Sequence, residues 1–261
     1  ILGIMTGTSL DGMDFALCNF QEIDGVPELS IIATHFFEYS ELLKNKIRET
    51  IYNKLNLSEF SQLNYYLAHL FSDKYRQFIN RYSIDVNEIS CISIHGQTLW
   101  HNPHPTPFLD KQISSTLQAT NLSALAKLTG KTVIGDFRSG DIALGGEGAP
   151  LVCKFDYDFF RDSNENRILL NIGGISNLTY LPKDCDIDEI LAFDCGPGNM
   201  LMDAWIADQQ GHAFDENGTW ASQGKVNQAL LSRMLTDSFF AKAPPKSTGR
   251  DDFHLEWLQK Q

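Results

Sequence analysis

Several features that mark particular classes of protein are missing from this sequence. None of the five cysteines belongs to a CxxC pair, and an odd number of cysteines favours reduced thiols in a cytoplasmic protein. No apolar run reaches the roughly 18 residues that indicate a membrane span. Basic residues are scarce, since 21 Lys and Arg stand against 33 Asp and Glu, for a net charge of −12. Because phosphate backbones are held mainly by Lys and Arg, we expect no nucleic-acid partner and no membrane partner.

The common nucleotide-binding motifs are absent as well. Gly130-Lys131-Thr132 looks like the end of a Walker A loop, but Leu125 occupies the position of its first glycine. Gly196-Pro197-Gly198 begins like a dinucleotide fingerprint, but Leu201 occupies the position of the third glycine. The sequence therefore predicts neither a P-loop nor a Rossmann NAD site.

A different pattern is present twice: a strand, a loop rich in glycine, and a second strand, followed by helices and further strands. It begins at Leu2 and again at Ile168. A chain of 261 residues is long enough for one large domain or two modest ones. The repeated pattern predicts two α/β domains, residues 1–162 and 163–261, connected by the polar residues 162–166 and facing a cleft.

The two glycine loops carry groups that suit phosphate. In Gly7-Thr8-Ser9-Leu10-Asp11-Gly12-Met13-Asp14, glycine lets backbone N–H groups approach an anion, hydroxyls add donors, and the Asp11 carboxylate could hold Mg²⁺. The second turn, residues 171–177, contains Gly173 and Gly174. Together the two loops suit a clamp around a polyphosphate, whereas each loop alone could be an ordinary polar turn.

Asp136 follows the predicted strand 132–134, and ligands of open α/β sheets bind beyond the carboxyl ends of strands. A carboxylate at that place can accept a proton from a hydroxyl group or from water. A helix cap or an ion pair with Arg138 is the alternative interpretation.

Asp194 ends a second such strand, predicted over residues 187–193. We expect Asn199 to cap the helix that follows, and free N–H groups at the start of this helix could face a phosphate or a metal-bound water. A capped turn without a ligand is equally consistent with the pattern.

Three histidines, His95, His101 and His104, lie close together in the sequence. No HExxH pattern or cysteine partner accompanies them, so hydrogen bonding to a polar substrate is a better interpretation than a zinc site. The prolines of residues 101–107 predict a shaped loop, and a purely structural loop remains an alternative.

Taken together, these segments resemble the anhydro-N-acetylmuramic acid kinase family. The resemblance covers nearly the whole chain and is carried by residues 7–14, 95–98, 135–138, 171–177, 193–199 and 244–250. It implies a two-domain actin-like ATPase fold of the ribonuclease H-like type with a central cleft, and it implies ATP and Mg²⁺ as cofactors. A homodimer is a reasonable expectation for the family.

The resemblance also implies a reaction of cell-wall recycling. Water opens the 1,6-anhydro ring of 1,6-anhydro-N-acetylmuramic acid while O6 receives the γ-phosphoryl group of ATP, and the product is N-acetylmuramic acid 6-phosphate. The alternatives are a non-catalytic sugar-binding module of actin-like fold and an anhydrosugar hydrolase that does not use ATP.

The implied roles can be assigned to particular residues. Asp136 is implied as the general base, and residues 7–14 as the ATP-binding signature, to which we add Gly173 and Gly174. Asp11 and Asp194 are our candidate Mg²⁺ ligands, and we expect Gln97, Thr98 and Arg138 to contact the sugar.

Kinases of this fold carry a later glycine-rich loop that holds adenosine, and the sequence after Arg250 contains no glycine. We therefore expect a second domain that is truncated at its C-terminus and lacks the adenosine-binding part. Because the sequence begins at Ile1 rather than Met, we also expect a short segment to be missing before it.

Overall fold

The computed structural model describes residues 1–52, 54–249 and 252–261. They form two compact units, Ile1–Gly148 and Ala149–Gln261. Arg250, the last residue of the sixth motif, lies outside the described residues. Among the residues that are described, no helix is both long enough and apolar enough to cross a bilayer.

The first unit is a mixed α/β structure. Its strands are β1 (Leu2–Met5), β2 (Gly12–Ile23), β3 (Val26–Glu38), β4 (Cys91–Ile94), β5 (Gln97–Phe108), β6 (Lys111–Ala119) and β7 (Thr132–Gly135). Its helices are α1 (Glu41–Ile51), α2 (Leu57–Tyr82), α3 (Leu122–Thr129) and α4 (Ser139–Ala143), with a 3₁₀ turn at Val86–Glu88.

Five of these strands form one sheet in the order β3-β2-β1-β4-β7. The pairs β1–β2 and β2–β3 are antiparallel, whereas β1–β4 and β4–β7 are parallel. The carboxyl ends of β1, β4 and β7 therefore lie at the same edge of the sheet. This topology brings the segments that follow Met5, Ile94 and Gly135 to one place.

The apolar spacing of the sequence accounts for the packing of the helices on this sheet. Leu67 and Phe71 of α2 are fully buried in one core with residues of the sheet. The Phe15 ring lies 5.1 Å from the ring of Phe37 and 5.7 Å from that of Phe78. The apolar period of residues 43–55 and 60–82 predicts two amphipathic helices, and the structure confirms them as α1 and α2.

The sequence predicts a short helix that Asn121 caps and Gly130 ends, and α3 confirms both limits. The side chain of Asn121 accepts a hydrogen bond from the N–H of Ala124, and Gly130 ends the helix in the left-handed conformation with φ of 68°. The cap and the left-handed glycine depend only on neighbouring residues, so the sequence alone predicts them.

The predicted loop at residues 101–107 is wrong, because these residues belong to β5, which pairs with β6 in a separate two-stranded sheet. Proline cannot donate to a ladder, but it is tolerated at edges and bulges. Pro103 and Pro105 lie where the register shifts between Asn102 and Thr106, so the hairpin accommodates them.

The second unit contains β8 (Arg167–Ile172), β9 (Ile175–Leu181) and β10 (Leu191–Pro197) as an antiparallel sheet of order β10-β9-β8. Its helices are α5 (Cys153–Phe160), α6 (Asn199–Gln210), α7 (Gln228–Met234), α8 (Ser238–Ala241) and α9 (Leu255–Gln259). 3₁₀ turns occur at Ile187–Glu189, Glu216–Gly218 and Ala221–Gln223.

The predicted strand at residues 187–193 begins later than expected, since β10 starts only at Leu191. The preceding residues form a 3₁₀ turn in which the Asp186 N–H donates to the Glu189 carboxylate over 2.8 Å. This local carboxylate contact stabilises a turn in place of the first part of the strand.

The two compact units divide before residue 149, whereas the sequence placed a boundary at residue 162. The difference concerns α5. The Thr179 hydroxyl on β9 donates to the Asp156 carboxylate of α5 over 2.6 Å, and both side chains are buried. Helix α5 is therefore attached to the sheet of the second unit, and the polar residues 162–166 form a connection inside that unit.

Candidate functional site

The sheet edge of the first unit brings two of the predicted motifs together. The Thr6 hydroxyl at the end of β1 donates to the Gly96 carbonyl oxygen over 2.7 Å. The Gln97 side-chain amide donates to the Gly7 carbonyl oxygen over 3.3 Å. The loop after β1, which we name the phosphate loop (residues 6–11), is thus joined to residues 95–98, as the parallel pairing of β1 and β4 requires.

The Asp11 side chain stabilises the phosphate loop through hydrogen bonds to its neighbours. Its carboxylate oxygen Oδ1 accepts hydrogen bonds from the Ser9 hydroxyl at 2.5 Å and from the Gly12 N–H at 3.0 Å. Leu10 between them has a φ of 61°, a left-handed conformation that is uncommon for a residue other than glycine. A conformation of this kind persists only where the surrounding structure holds it.

The predicted ATP-binding residues separate into two groups. Thr8, Ser9, Asp11 and Asp14 are exposed, and Gly7 is half-buried. The loss of part of its hydration and, to a smaller extent, the neighbouring Asp11 charge raise the pKa of the Asp14 carboxyl group.

The other group, Leu10, Gly12 and Met13, points into the protein. The Leu10 and Met13 side chains belong to the hydrophobic core. A Cβ atom on Gly12 would lie only 2.3 Å from the carbonyl oxygen of Phe37 on the adjacent strand. These three residues hold the loop in place, and their side-chain positions do not face a ligand.

Asp136 stands at the same edge of the sheet, directly after β7. Its side chain is exposed, and its oxygen Oδ1 accepts a hydrogen bond from the Ser139 hydroxyl over 2.5 Å. Its φ of 58° is the second left-handed outlier at this edge. The preceding Gly135 allows a close approach, because a Cβ atom there would lie 2.8 Å from the carbonyl oxygen of Ile94.

Arg138, a predicted sugar contact, makes hydrogen bonds to a side chain and to the backbone. Its Nε donates to the ring nitrogen Nε2 of His95 over 2.9 Å, and its Nη1 donates to the Gly148 carbonyl oxygen. Burial, together with the positive charge of Arg138, lowers the pKa of His95 to about 4. The imidazole ring is therefore neutral at pH 7 and can accept a hydrogen bond from the guanidinium group.

The pairing of His95 with Arg138 is the feature that sequence reasoning missed. The two residues are 43 positions apart, and the pairing depends on β4 and β7 being adjacent and parallel. Each residue follows the end of one of these strands closely. Only a correct prediction of the strand order could have shown that the two residues are in contact.

Gln97 and Thr98 differ in accessibility. Gln97 is fully buried, and its amide supports the phosphate loop through Gly7. The structure thus places Gln97 against the phosphate loop, and its contact with the sugar stays a prediction. Thr98 is half-buried on β5 and keeps an accessible position.

The glycine turn of the second unit contacts the start of α6. The N–H of Gly198 donates to the Gly174 carbonyl oxygen at 2.8 Å, and the N–H of Asn199 donates to that of Gly173 at 2.9 Å. The prediction that Asn199 caps this helix is wrong, because Gly198 is the cap residue. The N–H groups of Gly198 and Asn199 are not free to face a phosphate, because they donate to the glycine turn. A Cβ atom on Gly198 would lie 2.1 Å from the Gly173 oxygen, so only glycine permits this contact.

Asp194, the second predicted Mg²⁺ ligand, is buried in the second unit. Its oxygen Oδ2 accepts the Thr248 N–H over 3.0 Å, and its own N–H donates to the Lys246 carbonyl oxygen. In the part of the chain that the structure describes, no group of three or more His, Cys, Asp or Glu side chains is arranged to hold a metal. Mg²⁺ commonly needs only one or two carboxylates beside the phosphates, and the exposed Asp11 meets that requirement better than the buried Asp194 does.

Comparison with known proteins gives a consistent result. A family model described as anhydro-N-acetylmuramic acid kinase matches residues 1–261. A protein of that name from Haemophilus influenzae is 42% identical over 258 residues, which cover 98% of this chain and 64% of the relative. A protein of the same name from Pasteurella multocida is 40% identical, and the match covers 100% of this chain and 66% of the relative. The chain thus spans about two thirds of the length of these curated relatives.

Proposed function

Because the chain belongs to the anhydro-N-acetylmuramic acid kinase family, we propose that it supplies the sugar and phosphate sites of an ATP-dependent sugar kinase. The substrate is 1,6-anhydro-N-acetylmuramic acid, and the product is N-acetylmuramic acid 6-phosphate. The enzyme is a phosphotransferase that uses an alcohol oxygen as acceptor and serves the recycling of cell-wall sugars.

Asp136 is the general base of this proposal. It removes a proton from water as the water oxygen bonds to C1 of the sugar. The bond between C1 and O6 breaks, O6 bonds to the γ-phosphorus, and ADP leaves. The observation that carries this role is the exposed Asp136 carboxylate on a left-handed backbone at the sheet edge, two residues before Arg138.

The phosphate loop takes the nucleotide in the same proposal. Gly7, Thr8 and Ser9 offer backbone N–H groups and hydroxyls, which suit the negative charge of a polyphosphate. When bound, Mg²⁺ neutralises charge on the phosphates, and the exposed Asp11 carboxylate is the group that would hold it. Thr98 and Arg138 orient the sugar, while the buried Gln97 supports the loop.

Other parts of the proposal concern the whole protein. The mixed sheet of the first unit, an antiparallel hairpin followed by two parallel strands, supports an actin-like ATPase fold with two domains. All five cysteines are free thiols, which supports a cytoplasmic protein because disulfides persist in oxidising compartments. We include a homodimer and the use of Mg²⁺ on the strength of the family alone.

The decisive experiment is turnover with ATP, MgCl₂ and 1,6-anhydro-N-acetylmuramic acid, followed by mass spectrometry of the sugar. Asp136→Asn should reduce the rate by about 10²- to 10⁴-fold, the usual contribution of a general base. Its affinity for the sugar, measured by calorimetry, should change little.

Asp24→Asn is a matched control, since Asp24 is also an exposed aspartate with a left-handed φ of 52°. It lies in the turn between β2 and β3, and its substitution should leave turnover unchanged. Wild-type turnover by Asp136→Asn would exclude the proposed base. Ring opening without ATP would indicate a hydrolase. Sugar binding without any ATP binding or turnover, also in a protein of the relatives' full length, would indicate a binding module.

A further inference from the structure

A continuous series of hydrogen bonds crosses the sheet edge of the first unit. The Gly96 carbonyl oxygen accepts the Thr6 hydroxyl at 2.7 Å and contacts the ring nitrogen Nδ1 of His95, also at 2.7 Å. The other ring nitrogen of His95 contacts Arg138 Nε at 2.9 Å. His95 therefore connects the phosphate loop to the segment that follows β7.

The series continues on the other side of the guanidinium group. Arg138 Nη1 donates to the Gly148 carbonyl oxygen, and the Gly148 N–H donates to the Asp141 carboxylate over 2.6 Å. The Asp141 carbonyl oxygen also accepts the N–H of Gly146 at 2.9 Å. Arg138 is thus held from two directions, by an imidazole ring and by a glycine loop that Asp141 stabilises.

The chemistry of the contact selects one form of the histidine. A guanidinium group can only donate, so Nε2 of His95 must carry a lone pair and no hydrogen. The ring hydrogen is then on Nδ1 and points to the Gly96 carbonyl oxygen. A doubly protonated ring would place N–H against N–H and would remove the contact with Arg138.

We propose that His95 is a positioning residue, which in its neutral Nδ1–H form fixes the guanidinium group of Arg138 for the sugar. The value of this arrangement is preorganisation: a long side chain that is already held loses less conformational freedom when a ligand binds. The sugar-binding half of the inference rests on the proposed function, whereas the fixation of Arg138 stands on the geometry alone.

Two substitutions at position 95 separate the effect of the hydrogen-bond acceptor from the effect of the ring volume. His95→Phe keeps the ring volume and removes the acceptor, and it should weaken binding of 1,6-anhydro-N-acetylmuramic acid by about 10- to 100-fold, the range for a lost hydrogen bond to a charged group. His95→Gln carries an amide oxygen at a similar reach and should restore affinity to within a few-fold of wild type. Thermal unfolding of both variants checks that they fold.

A direct measurement of the ring completes the test. Nitrogen-15 NMR of the wild-type chain should show His95 with a protonated Nδ1 and an unprotonated Nε2. Arg138→Ala should shift the Nε2 signal, because the donor is lost.

The outcomes distinguish the fixation of Arg138 from its role in sugar binding. An Nε2–H form of His95, or sugar binding by a folded His95→Phe variant equal to wild type, overturns the positioning role. If the wild-type chain shows the expected ring form but binds no sugar, the fixation of Arg138 by His95 stands and the proposed function fails. Equal losses in folded Phe and Gln variants would also count against the acceptor as the operative group.

Discussion

Acidification should destabilise the first unit through His95. Burial and the charges of Arg138 and His101 lower the pKa of His95 from 6.5 to about 4 in the folded protein, while its contact with the Gly96 carbonyl oxygen opposes them. Between these two values the unfolded chain binds a proton at His95 that the folded chain does not. The free energy of unfolding therefore falls as the pH falls from about 6.5 to about 4.

The magnitude follows from the two pKa values. Linkage predicts a loss of about 2.5 kcal/mol in the free energy of unfolding between pH 7 and pH 4.5, where most of the shift has taken effect. His95→Gln cannot titrate and lacks this loss. Burial also lowers the pKa of His101, which gives both proteins a further loss of stability in acid.

Urea unfolding at the two pH values, followed by pulsed hydrogen exchange and mass spectrometry, measures the effect. Peptides that cover β1 and β4 report the first unit without a contribution from the second. The advantage of wild type over His95→Gln should shrink by about 2.5 kcal/mol at pH 4.5. A change below about 0.5 kcal/mol, within the usual error of additivity, would refute the burial and charge argument for His95.

Two further predictions concern packing. Gly12→Ala should cost about 1–3 kcal/mol of stability in thermal or urea unfolding, because its Cβ atom would lie 2.3 Å from the Phe37 carbonyl oxygen. Gly140→Ala, which meets no atom within 4 Å, is its control and should be neutral or stabilising, so equal losses would contradict the close approach. Thr179→Val should cost about 1–3 kcal/mol, because it removes the hydroxyl that donates to the buried Asp156 carboxylate. Thr179→Ser should recover most of that loss, and a Val variant as stable as wild type would exclude the contact as a stabilising one.

Local chemistry was the part of the fold that could be predicted. The apolar period of α2 and the limits of α3 between Asn121 and Gly130 depend on neighbouring residues only. The prediction failed at β5, where prolines were interpreted as a loop. A proline excludes a central strand, and only the pairing partner shows that β5 is not one.

The candidate site was predictable in its segments and not in its contacts. Glycines, hydroxyls and carboxylates drew attention to residues 6–11 and Asp136, which the structure brings to one sheet edge. The burial of Gln97 and its hydrogen bond to Gly7 were not predicted. The N–H groups at the start of α6 were expected to be free and bind Gly173 and Gly174. Burial and backbone pairing of this kind depend on residues far away in the chain, which no local pattern describes.

By itself, the sequence determined the family, the α/β character and the segments that we propose for the chemistry, because residue types and their spacing are local properties. Only the tertiary structure decided which side chains of these segments point outward and which hold others in place. The pairing of His95 with Arg138 exists because two parallel strands end side by side. Burial beside that positive charge then keeps the ring neutral, and so makes a histidine an acceptor for an arginine.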